Sequence, residues 1–209
     1  MHEVFVSFTR DYGFQPIPFQ DLWVEVPFQR FAYAKNGDSP QAPRGNGRTL
    51  TDEAGVVRDE VKHILDLIAE ADAVVSGGHH HARELFPFYE EAKARGVRRL
   101  FLNHPTYVND CSFQDITSLV GLGVKMEHSA CMFVESTFKM FDSEHLKSVI
   151  DAAGVENTFF GTDLGQMNNP SPAEGMRMMI QLLIDLGYSD DDIRKMTATV
   201  AADLAGLDA

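Results

Sequence analysis

A strand–helix rhythm repeats four times in the second half of the chain, and each strand ends in a residue that can bind a metal or move a proton. Segments 72–78, 97–103, 124–128 and 157–162 read as short buried strands. Helical patterns follow at 82–95, 112–121, 143–153 and 172–187, with a last helix at 189–204. Gly96, Gly121, Gly123 and Gly154 stand where helices should stop. Strands alternating with helices imply a parallel sheet with helices outside. The spacing suits either a doubly wound sheet or a barrel, and both bind ligands at the carboxyl ends of the strands. No GxGxxG or Walker motif follows any strand, so nothing supports a nucleotide-binding sheet.

The strand ends carry His79-His80-His81, His104-Pro105, Glu127-His128 and Asp163. Neutral imidazoles and carboxylates converging from separate strands are what a divalent metal needs. A bound metal lowers the pKa of its water to about 7, and a carboxylate beside that water can take the proton. One histidine at a strand end is more often a hydrogen-bonding loop residue than a ligand. Four consecutive strands ending this way point to a site. His79 is nearest its strand and is expected to point inward, with His80 and His81 supporting or exposed. His63 and His145 fall in helices and are expected at the surface.

The first half is less regular. Glu3–Phe8 and Trp23–Phe28 look like strands, residues 35–49 form a long loop, and 57–70 an amphipathic helix through Val61, Ile64, Leu65 and Ile68. A loop of that length inside a domain is often functional. The 209 residues suit a single domain, 1–209, able to bury a core. A net charge of −13 disfavours nucleic acid as a partner. The acidic run Asp190-Asp191-Asp192 reads as a solvated helix N-terminus. Cys111 and Cys131 read as free thiols. No apolar run is long enough for a membrane helix, and the N-terminus lacks the pattern of a signal peptide, so the expected location is cytoplasmic.

Gly78-His79, Asn103-His104-Pro105 and Gly161-Thr162-Asp163-Leu164-Gly165-Gln166, followed by Asn169-Pro170, resemble the amidohydrolase superfamily. The likeness is closest to a little-characterised branch of metal-dependent hydrolases with a TIM-barrel fold. It runs from about Trp23 to Leu207, and the closing Leu204-Ala205-Gly206-Leu207 is similar to that superfamily's last helix. The resemblance implies that His79 and His104 are the metal-binding histidines after strands 5 and 6. It implies that Asp163 is the strand-8 aspartate, which binds metal and acts as general base. Glu127, on the strand-7 equivalent, would be a further catalytic or substrate-facing group. His81 and His128, with Arg44 and Arg48 of the long loop, are candidate substrate or supporting residues. Zinc is the expected metal, with manganese or iron as alternatives.

The sequence departs from the superfamily in one respect. The His-x-His pair of strand 1 is absent from the first 78 residues. The expected fold is therefore an incomplete (β/α) barrel of the metal-dependent hydrolase type, about strands 3–8. A homo- or hetero-oligomer would complete it, unless the sequence is truncated. The expected function is hydrolysis of an amide, ester or related C–N or C–O bond in a small-molecule substrate. A decarboxylase of the same superfamily and a non-catalytic partner subunit are the alternatives.

Overall fold

The computed structural model describes residues 49–107 and 109–207. The expected strands at 3–8 and 23–28, nearly all of the 35–49 loop, and Arg44 and Arg48 lie outside the described residues. From Thr49 onward the chain forms one compact unit.

Helix α1 (Asp59–Glu70) opens with two acidic residues, favourable at a helix N-terminus, and buries Leu65. The first strand, β1, is Val74–Ser76. Helix α2 (Ala82–Ala94) buries Leu85, Phe88, Tyr89 and Ala92 on the face the sequence indicated. Strand β2 (Arg99–Asn103) precedes α3 (Phe113–Gly121), which is started by a reciprocal capping box between Ser112 and Asp115. Strand β3 (Val124–Ser129) leads through a short 3₁₀ turn to α4 (Ser143–Ala153), capped by Asp142. Strand β4 (Thr158–Gly161) leads to α5 (Pro172–Asp185), capped by Ser171 with Pro172 in its first turn.

The expected final helix is broken into three pieces. Helix α6 (Asp190–Arg194) starts with the acidic run and its Ser189 cap, a π-helical turn covers Lys195–Thr199, and α7 (Val200–Ala205) follows. Within the π turn the Thr197 hydroxyl donates to the Ile193 carbonyl at 2.7 Å, a side-chain bond that competes with regular backbone pairing.

The four strands form one parallel sheet in the order β1-β2-β3-β4. Strand order follows chain order, so the described sheet has no topological switch point. Right-handed crossovers then carry successive helices to the same face, and α1, α2, α3 and α4 do touch their neighbours in sequence. The four described strands are compatible with part of either architecture the rhythm allowed.

Register divides the sheet into two faces. Val75, Leu100, Leu102, Val124, Met126, His128, Thr158 and Phe160 share the fully buried side. Ser76, Phe101, Asn103, Glu127, Ser129, Phe159 and Gly161 share the other. Phe101 and Phe159 meet edge to face there, with ring centres 5.6 Å apart.

Tyr89 ties α2 to the ends of β1 and β2. Its hydroxyl donates to the Phe101 carbonyl at 2.5 Å and accepts from the Gly77 N–H at 2.8 Å. A Cβ at Gly77 would lie 2.5 Å from that oxygen, which explains the glycine. The Gly77 N–H also reaches the Phe101 carbonyl at 3.2 Å, so removing the hydroxyl leaves it partly satisfied. Tyr89→Phe is expected to cost about 1–2 kcal/mol in urea denaturation. A loss too small to measure would show that the hydroxyl does not hold these ends together.

Candidate functional site at the carboxyl ends of the strands

His79, His104 and Asp163 all emerge just beyond the carboxyl ends of β1, β2 and β4. His104 and Asp163 adopt left-handed backbone, with φ of 50° and 48°, as does Gly78 with φ of 57°. This conformation is uncommon outside glycine, although His and Asp tolerate it better than most residues. It turns the chain sharply at each strand end.

The structure brings two of the predicted ligands close together. The His79 and His104 rings lie 5.4 Å apart, tilted by 41°. Burial pushes the His79 imidazole below its ordinary pKa, while the Asp163 carboxylate pulls the other way. His104 is pushed down to about 4, first by burial and then by His79. Both rings are therefore neutral at pH 7, the form that can offer a lone pair. Burial raises Asp163, partly offset by His79. The Cys131 thiol, 4.0 Å from Asp163 Oδ2, is raised to about 12 by burial and by Asp163, so it is no nucleophile at neutral pH.

Glu127 lies behind His104. Its Oε1 accepts from the Gly161 N–H at 3.0 Å and from the Ser129 hydroxyl at 3.0 Å. A Cβ on Gly161 would come within 2.6 Å of that oxygen, so glycine makes the seat for the carboxyl. Burial raises Glu127 to about 7. Glu127 Oε2 is 3.7 Å from His104 Nδ1, too far for a hydrogen bond, and Ser129 Oγ stands 2.8 Å from the same nitrogen. With His104 neutral, the three groups form a hydrogen-bonded row and not an ion pair. Glu127 is 7% exposed, and its hydrogen-bonded link to His104 runs through Ser129.

The three consecutive histidines have three placements. His79 lies close to His104. His80 lies 3.9 Å from Glu84. His81 caps α2, its Nδ1 accepting from the Arg83 N–H at 3.2 Å, with Nε2 3.4 Å from Asp110. That cap supports the start of α2; a substrate or supporting role was expected for His81. His128 is placed elsewhere. It follows Glu127 in a strand, so it points to the opposite face, where it packs between Phe133 and Phe160. His63 is exposed as expected; His145 is half-buried, stacked on Phe141 at 4.2 Å. Cys111 and Cys131 are both free.

Sequence reading missed Ser129 and Asn109. Asn109 is fully buried, and its amide nitrogen donates to the carbonyls of Gly78 and His80, each at 2.8 Å. It thus grips the backbone on both sides of His79. A lone serine and a lone asparagine carry no signal in one sequence; only their neighbours give them meaning.

Among the described residues, no three His, Cys, Asp or Glu side chains are grouped closely enough to hold a metal ion. The donor chemistry of His79, His104 and Asp163 suits a divalent cation, and zinc by its mix of imidazole and carboxylate. Among the described residues no helix is long and apolar enough to cross a membrane.

A family model described as a family of unknown function, DUF6282, matches residues 28–127, a stretch that includes His79, His104, Asn109 and Glu127 and stops short of Asp163. No curated protein and no solved structure matches the chain.

Proposed function

We propose that the chain is a metal-dependent hydrolase of the amidohydrolase type, cleaving an amide, ester or related bond of a small molecule. The observation that carries this reading is the close pair of neutral imidazoles, His79 and His104, beside Asp163 at the ends of parallel strands. His79, His104 and Asp163 would hold the cation. When bound, a zinc ion supplies Lewis acidity and a water that ionises near neutral pH. Asp163, half-buried and with raised proton affinity, would take a proton from the attacking water and pass it to the leaving group. Glu127 and Ser129 orient His104.

The sequential all-parallel strand order is compatible with a barrel segment, with β1 to β4 as strands 5 to 8. Further strands, from elsewhere in the protein, a second copy or another chain, would complete it.

Zinc titration of the purified full chain by calorimetry tests the reading. One zinc per chain is expected, with His104→Ala binding at least about tenfold more weakly. Absence of stoichiometric zinc, together with unchanged hydrolysis of an ester panel in the variant, would sink it. A non-catalytic partner subunit is the second reading. It is favoured by the lack of a ready three-ligand group among the described residues, and it predicts a chain that binds no zinc.

A further inference from the structure

Ser129 has one proton and two neighbours that compete for it. Its oxygen lies 3.0 Å from Glu127 Oε1, 3.3 Å from Oε2 and 2.8 Å from His104 Nδ1. Oε1 also receives the Gly161 N–H, which fixes that oxygen as an acceptor. Of the two carboxyl oxygens this one is the nearer to Ser129, and a carboxylate can only accept while a ring nitrogen can also donate, so the hydroxyl proton goes to the carboxylate. The serine oxygen is then left with lone pairs toward His104. A lone pair facing a ring nitrogen makes a hydrogen bond only if that nitrogen carries the proton. Ser129 is 1% exposed and Glu127 7%, so solvent cannot readily supply an alternative donor or acceptor.

We infer that Ser129 is the positioning residue that fixes the tautomer of His104, holding the proton on Nδ1 and leaving Nε2 as a bare lone pair. Glu127 orients the serine, and the Gly161 backbone orients Glu127. The row runs from β4 through β3 to the end of β2, so three strands together determine one nitrogen's chemistry. The use of that lone pair, as ligand or base, rests on the hydrolase reading; the tautomer itself does not.

The inference predicts a result in metal-free protein. Nitrogen-15 NMR of histidine-labelled full chain at about pH 8, where an ordinary histidine is neutral, should show His104 as a single tautomer protonated at Nδ1. Ser129→Ala should lose that single state and show both tautomers, while Ser129→Thr, which keeps the hydroxyl, should restore it. A purely structural serine would alter stability and leave the tautomer unchanged. Wild-type His104 protonated at Nε2, or a tautomer unaltered in Ser129→Ala, would overturn the inference. Zinc titration of the same three proteins separates the two readings. If the tautomer pattern holds and zinc does not bind, the metal reading fails and this one stands. If zinc binds and wild-type His104 carries its proton on Nε2, this one fails alone.

Discussion

Replacing His128 by leucine is expected to leave stability near pH 7 within about 1 kcal/mol of the wild type, and to make the variant more stable by about 2–3 kcal/mol near pH 4.5. His128 is 2% exposed, sits among Phe133 and Phe160, and has a buried Nε2 with no hydrogen-bond partner among the described residues. Burial pushes its pKa down to about 3, and His145 and His104 push the same way. The unfolded chain binds a proton at His128 near pH 6.5, the folded chain only near 3. Below 6.5 the unfolded state therefore holds more protons, and stability falls as pH falls. The contribution is fully present above 6.5 and is lost progressively toward 3.

Other groups act on the same curve. His79 and His104 are also depressed and add to the acid loss. Glu127 and Asp163 are raised, so the folded state takes up their protons first and gains stability as pH falls. The wild-type profile is a sum of opposing parts, and only the difference between wild type and His128→Leu isolates one histidine. Leucine is close in size and brings no polar atom to satisfy. Urea denaturation at several pH values measures the difference. A gap that stays constant from pH 7 to 4.5 would show that His128 is not held neutral by the fold.

The contrast between Glu127 and His128 explains how far the sequence could be read. Strand and helix positions in the second half follow from apolar runs, capping residues and helix-stopping glycines, and they agree with the structure to within a few residues. The side to which a strand residue points did not follow. In β3 both faces are buried, so Val-Lys-Met-Glu-His-Ser shows no clean alternation of polar and apolar residues. Glu127 and His128 both stood among the candidate site residues, yet neighbouring strand residues must diverge. The capping role of His81 was hidden for a different reason. Histidine is an unusual N-cap, and a string of three histidines draws attention to metal before it suggests a helix start. Strand-end spacing located His79, His104 and Asp163, but how closely side chains approach is decided by loop geometry. The left-handed turns at His104 and Asp163 leave no mark in composition or periodicity.

Asn109 shows the same limit, and it carries the second large effect. Asn109→Ala is expected to lose about 2–4 kcal/mol, because it strands the Gly78 and His80 carbonyls that the side chain now satisfies. Asn109→Asp keeps the shape and should cost more. It puts acceptor oxygens against two carbonyl oxygens in a fully buried place, where a carboxylate is also costly. Within the same residue, the backbone carbonyl of Asn109 accepts from the Ala82 N–H at 2.8 Å, a bond that both variants keep. The start of α2 should then stay anchored while the Gly78–His80 turn loosens. Two measurements follow from this separation. Urea denaturation should rank wild type above Ala above Asp. Hydrogen exchange should rise more at residues 77–81 than within α2, and a uniform rise over both would show that Asn109 serves the whole packing of α2 and does not hold His79 in place.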